Sequence, residues 1–160
     1  MRGGTATGAD LRSRTSSSTT FSGSDVPKST VIMRSSDGGA FTGTYDTDYD
    51  LKPSLTALAG TFNGTGLSGF SSVQSIPVTI SSAGTISTPP SLGCSALGTV
   101  VPRPGGKNIF NVSVTSSGSN CALGNGTTTS IAYYDVTTRE LLVMALNSSK
   151  TDGFIDLGAK

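Results

Sequence analysis

Apolar residues in this chain recur at every second position far more often than at every third or fourth. Ile76, Val78 and Ile80 alternate with Pro77 and Thr79, and Phe110, Val112 and Val114 alternate with Asn111, Ser113 and Thr115. A period of two sends successive side chains to opposite faces of a strand, so that one face can be buried while the other meets water. The runs are short and divided by clusters of Gly, Pro, Asn and Asp. Composition points the same way: 26 Ser and 23 Thr make up nearly a third of the 160 residues, Gly adds 21, and Glu140 is the single glutamate. Little is left to build helices from. The expectation is an all-β fold, a small antiparallel barrel or sandwich of about 8–10 short strands with at most one or two short helices.

Residues 1–28 are Ser, Thr, Gly and Arg with almost no apolar content. Such a segment cannot offset its ordering entropy by burial, so it is predicted to be a disordered tail, with a single β-domain over 29–160. Thr30–Met33, the Asp37-Gly38-Gly39 turn and Ala40–Tyr45 read as a hairpin. Leu51, Leu55 and Leu58 fall at helical spacing, with Pro53 early and Gly60 after, which predicts a helix of about two turns capping one end of the sheet. Pro77 places its strand at an edge or a bulge. Leu141–Leu146 is apolar at every position, the mark of a strand covered on both faces. The expected core is Phe41, Phe62, Ile76, Val78, Ile80, Val100, Phe110, Val112, Val114, Ile131, Tyr133, Leu142, Met144 and Ile155. A one-residue slip would exchange Leu142 and Met144 for Leu141 and Val143.

There is no histidine, which removes the commonest general base and metal ligand and makes a Ser-His-Asp triad impossible. A Ser-Lys dyad needs a buried lysine, and the five lysines fall in turns or near the tail. Glu140 follows Arg139 in a turn, a poor place for the elevated acid of a glycosidase pair. No catalytic residue is therefore assigned, and the chain is not expected to be an enzyme. Asp46-Thr47-Asp48-Tyr49-Asp50 resembles the start of a calcium loop, but Leu51 and Ala57 stand where an EF-hand needs Gly and Glu, so a solvated acidic turn is expected and no metal or other cofactor is assigned. Pro102-Arg103-Pro104-Gly105-Gly106-Lys107-Asn108 has Val101 and Asn108 where a phosphate loop needs Gly and Ser or Thr. It reads as a rigid turn between two strands, with Arg103, Lys107 and Asn108 as a candidate interaction loop.

The net charge of +1 argues against a nucleic-acid partner. The longest apolar run, Leu141–Leu146, is far short of the roughly 20 residues of a membrane helix. Cys94 and Cys121 are too far apart for a CxxC motif; a reactive thiol or a metal pair is conceivable, but a disulfide is the favoured reading and implies an oxidising compartment. The first 25 residues hold no apolar stretch like that of a signal peptide, so export would require a signal already removed.

From the predicted helix onward, an ordered series of motifs adds a further expectation: Leu58-Ala59-Gly60-Thr61-Phe62-Asn63-Gly64, Ile76-Pro77-Val78-Thr79-Ile80, Gly84-Thr85-Ile86, Gly93-Cys94, Gly98, Pro102–Val112, Cys121-Ala122-Leu123, Ala132-Tyr133, Leu141-Leu142-Val143 and Thr151-Asp152-Gly153-Phe154. Over residues 40–160 the chain resembles uncharacterised surface lipoproteins of Burkholderia and related betaproteobacteria. The resemblance implies export to the outer membrane, cell surface or periplasm, membrane contact only through a lipid anchor that this chain does not show, and exposure to the host immune system. It supplies no catalytic or binding residue. Relatives carry Trp where Phe62 stands here, and a lipobox with a longer N-terminal module. Taken together, the leading expectation is an exported structural or interaction module whose partner is a host or envelope protein. A lipocalin-like barrel for a small apolar ligand and a periplasmic inhibitor of a host enzyme are the alternatives.

Overall fold

The computed structural model describes residues 2–10, 15–68, 71–90, 93–121, 124–146 and 153–160. Ala122, Leu123, Thr151 and Asp152 of the motif series lie outside them. Two antiparallel sheets organise the chain. The first is four-stranded, in the order β1 (Arg2–Asp10), β2 (Thr15–Val26), β3 (Thr30–Ser35), β4 (Ala40–Thr44). The stretch expected to be a disordered tail thus supplies two strands: Arg2 faces Gly23 and Asp10 faces Thr15, while Asp25 faces Val31. The expectation weighed only apolar burial, whereas a meander is also held by its backbone ladder, and Thr suits a strand. The β3–β4 hairpin forms as predicted, but Phe41 is 52% exposed and is not core.

After β4 comes a 3-10 turn, Thr47–Asp50, and then one turn of helix, α1 (Leu55–Leu58), with the Ser54 hydroxyl accepting from the Ala57 amide. The predicted helix is shorter than its leucine spacing suggests. Pro53 restricts Lys52 to extended backbone, so Leu51 cannot join the same helix, and it stays exposed.

The remaining strands are β5 (Gly60–Ser68), β6 (Ser71–Ile80), β7 (Thr85–Ser87), β8 (Cys94–Pro102), β9 (Ile109–Gly118), β10 (Gly126–Asp135), β11 (Glu140–Leu146) and β12 (Gly153–Ala159). They close into an eight-stranded antiparallel barrel in which each pairs with the next, and β12 returns to β5 with Asp156 facing Gly66. Closure is incomplete along β6, and Pro77 lies on a locally open edge, as expected of a residue with no N–H to donate. Pro77 faces Asn63 of β5 at a point where β6 pairs with no other strand, because the short β7 covers only Thr79 and Ile80.

One end of the barrel is plugged. Leu58 and Leu55 of α1 lie over Phe62, Ile80, Ile86, Val100, Phe110, Val112, Ala132, Tyr134 and Leu141, with Val78, Val114 and Val143 packed against the cluster. Phe62 meets Tyr134 edge to face at 5.9 Å between ring centroids. The Lys160 ammonium sits 5.3 Å from the Phe62 ring and 4.9 Å from that of Tyr134, and donates to the carbonyls of Ala57 and Ala59. Gly84 is needed in the loop before β7: at φ +80°, a Cβ there would stand 2.3 Å from the Val100 carbonyl oxygen.

The core expectation holds for Phe62, Val78, Ile80, Val100, Phe110, Val112 and Val114, and the side chain of Ile76 lies outside those described. It is reversed on β10–β12. Ala132, Tyr134, Leu141 and Ala145 are buried, whereas Ile131, Met144 and Ile155 are on the outside, and Tyr133 and Leu142 are half-buried. The lumen of an eight-stranded barrel is just wide enough for side chains to fill. With Phe62, Phe110 and Tyr134 already in it, the facing positions take small residues.

Candidate functional site

The acidic turn and the loop over 102–108 are brought together at the plugged end. Asp50 accepts from Lys107 and forms an ion pair with Lys28 at 3.0 Å, so one carboxylate joins the β2–β3 turn to the β8–β9 loop. Contacts with the Lys107 ammonium, then the neighbouring Tyr45 phenol and the Lys28 ammonium, hold the Asp50 carboxyl well below the usual carboxylate range, while Asp50 in turn raises the Lys107 ammonium and the Tyr45 phenol, whose buried hydroxyl makes no hydrogen bond of normal geometry. Asp48 accepts from the amides of Val136 and Thr137 and from the Thr137 hydroxyl. Asp46 accepts from the Asp48 amide and the Tyr133 hydroxyl, and Asp135 accepts from the amides of Thr137 and Thr138. Partial burial, then the Asp46 contact, push the Tyr133 phenol far above its ordinary value. The carboxylates of the calcium-like motif are therefore occupied by protein donors, and among the described residues no group of three metal-binding side chains is found.

The three residues of the candidate interaction loop have separate surroundings. Asn108 is buried, its amide nitrogen donating to the Tyr134 carbonyl at 2.6 Å and its backbone N–H to the Tyr49 carbonyl at 3.0 Å. Lys107 is engaged with Asp50 and lies 5.5 Å from the Tyr49 ring centre. Arg103 is exposed beside Val101, at the end of a shallow outer groove lined also by Asn111, Ile131, Met144 and Leu146. The geometry thus ties Lys107 and Asn108 into the plug and leaves Arg103 facing outward.

Two further features went unread in the sequence. The first is Asp156. Its alternation with Ile155 and Leu157 was visible, but which parity faces inward was not. The side chain lies inside the barrel wall at 8% exposure, and one carboxylate oxygen is buried with no hydrogen-bond partner. Its neighbours across the sheet are Val143 and Gly66, neither of which carries a charge. Burial raises the Asp156 carboxyl above its ordinary value. Above about pH 4 the unfolded chain has lost this proton while the folded chain still holds it. Stability is therefore fully present below that pH and falls as pH rises through the folded value. Asp156→Asn should flatten this dependence and gain up to about 1–3 kcal/mol at neutral pH, the scale of an uncompensated buried polar group. Urea midpoints of both proteins from pH 3 to pH 8 check it; parallel curves would refute it.

The second feature is the outer face of β10–β12. Ile131 faces Met144, and Met144 faces Ile155, so three large apolar side chains form one row across three strands. Leu146 and Leu157 extend it along β11 and β12, and all five are 39–49% exposed. The described outer positions of β5, β6 and β9 are by contrast mostly polar, Thr61, Asn63, Thr65, Ser75, Thr79, Asn111, Ser113 and Thr115, with Pro77 and Ile109 among them.

Cys94 and Cys121 form a disulfide with their Cα atoms 5.0 Å apart. It closes the end of the β8–β9 hairpin away from the plug. No described helix is long and apolar enough to cross a membrane. Comparison with family models, curated proteins and solved structures finds no match to this chain.

Proposed function

We propose that the chain is a non-catalytic interaction module of the bacterial envelope, exported and acting through its outer surface. The observation that carries the reading is the disulfide across a barrel whose stability otherwise rests on a small core: such a bridge persists in the periplasm or at the cell surface and is rare in a reducing cytosol. The resemblance to surface lipoproteins agrees with it. Two further features support a binding role over a chemical one. The carboxylates of Asp46, Asp48 and Asp50 and the Lys107 ammonium at the plugged end are committed to partners within the protein. The large apolar side chains of β10–β12 face outward, where a protein partner can reach them.

The test is to express the protein from its native locus and trap thiols in intact cells with a membrane-impermeant maleimide before and after reduction. Export predicts labelling of Cys94 and Cys121 only after reduction, together with cleavage of the protein by added protease. Labelling without reduction, or protection from protease in permeabilised as well as intact cells, would overturn it.

A second reading, a lumenal site for a small apolar ligand, has one observation in its favour. Asp156 presents a buried, unpartnered carboxyl beside Gly66 and Val143, on the lumenal side of the wall. An uncharged fluorescent fatty-acid analogue that binds the wild type, and binds Asp156→Asn differently, would move the proposal to that reading.

A further inference from the structure

We propose that the outer face of β10–β12 is a two-fold interface between copies of this chain. The inference stands on the geometry of the wall and holds whether or not the protein is exported.

The argument begins with β11. A strand that is apolar at every position belongs where both faces are covered. Leu141, Val143 and Ala145 face the lumen and are buried or packed on the core. Met144 and Leu146 point the other way and stay exposed, and Leu142 is half-buried. The pattern of a doubly covered strand is present, while in the single chain one cover is missing. The same inversion continues on the neighbours, with Ala132 in and Ile131 out, and Asp156 in and Ile155 and Leu157 out. Leaving several Ile, Leu and Met side chains in water while an aspartate takes a lumenal position is unfavourable unless the outer face is itself buried.

The area fits a second copy. With Tyr133 and Leu142 at its margin, the face leaves roughly 500 Å² of largely apolar surface uncovered, near the top of the range for a lone soluble domain. Pairing it with its like would bury roughly 1,000 Å² in total, the lower limit for a specific association. Symmetry fits as well. A two-fold axis near Met144 places Ile131 of one copy against Ile155 of the other, and the reverse, so one row is its own complement. An isologous contact also sets like charge against like. Most outer positions around the row, Thr99, Asn111, Ser113 and Thr129, are uncharged, and Arg103, at the end of the groove, is the one charged residue lining it. A lipid surface is a poorer occupant. A barrel spanning a bilayer needs an apolar band all round, whereas the described outer positions of β5, β6 and β9 are mostly Thr, Asn and Ser.

Sedimentation velocity of the full-length oxidised chain over about 1–300 µM tests the inference. A reversible dimer with a roughly micromolar dissociation constant is expected for an interface of this size. Met144→Lys should weaken association at least about tenfold, since pairing would desolvate two like charges at the axis. Thr79→Lys, on the opposite wall, should leave it unchanged. Circular dichroism and thiol titration establish that each variant is folded. If Met144→Lys fails to fold, concentration-dependent amide shifts in the wild type replace it, with changes expected along β10–β12. A strictly monomeric wild type at the highest concentration would overturn the proposal, as would shifts confined to other strands. So would a dimer that Met144→Lys leaves intact, or one disrupted equally by Thr79→Lys.

Discussion

Phe62→Ala should cost about 3–5 kcal/mol and lower the melting temperature by roughly 10 °C. The ring is 1% exposed and stands where three parts of the plug meet. It contacts Tyr134 of β10 edge to face, it lies beneath the Lys160 ammonium, and it belongs to the same buried cluster as Leu58 of α1. Removing it leaves a cavity that these neighbours cannot fill cheaply. α1 is a single turn and has no stability of its own to spend on moving. Gly158 of β12 has no side chain to follow inward, although a Cβ there would come within 3.1 Å of the Phe62 Cβ. Lys160 would also lose one of its two aromatic faces, worth about 0.5–1 kcal/mol at a partly exposed site. Thermal melts of Phe62→Ala beside Phe62→Leu check this. The leucine variant keeps most of the volume and should lose less than half as much; a loss below about 1 kcal/mol for alanine would show that the plug does not depend on the ring.

The barrel and one end of its core could be read from the sequence because their residues offer no choice. On β9, Phe110, Val112 and Val114 share one parity and Asn111, Ser113 and Thr115 the other, so only one orientation buries the apolar set. On β11 both parities are apolar, and the decision passes to how much room the lumen has. That depends on Phe62, Phe110 and Tyr134, which arrive from three other strands, so no local pattern contains it. The β1–β2 pairing was hidden for a related reason. Its Ser, Thr and Gly carry no apolar stripe, and a ladder of backbone hydrogen bonds leaves no trace in side-chain periodicity. At the candidate site, Arg103, Lys107 and Asn108 were singled out for lying on a loop. Their separate roles depend on Asp50 and Tyr134, which are 57 and 26 residues away from Lys107 and Asn108.

Reduction of Cys94–Cys121, or replacement of both by serine, should destabilise the protein by about 3.5 kcal/mol, the chain-entropy cost for a loop of this length. The two cysteines are 27 residues apart, and the loop between them contains the whole β8–β9 hairpin. The register of that hairpin pairs Val100 with Val112 and brings Cys94 opposite Gly118, so Cys121 lies three residues past its simple partner. A hairpin can absorb such an offset with a bulge or a displaced turn. The structure takes it up differently: the strands stay in register, and the chain bends back after β9. Gly118 makes this possible. It sits at φ +147°, and a Cβ there would stand 1.9 Å from the Gly93 carbonyl oxygen, so no other residue fits. The Asn120 amide then donates to the same Gly93 carbonyl, which sets Cys121 beside Cys94. The bridge holds the hairpin at the end farthest from its Pro-Arg-Pro-Gly-Gly turn, where the plug gives no support. Its loss should therefore act on that end first. Hydrogen exchange after reduction should quicken at Ser95–Leu97 and Thr115–Ser117 while Val100 and Val112, against the core, stay protected until global unfolding. A fall in melting temperature of roughly 7–14 °C should accompany it. Uniform exchange along both strands, or a melting temperature within about 2 °C of the oxidised protein, would show that the barrel closes without its disulfide.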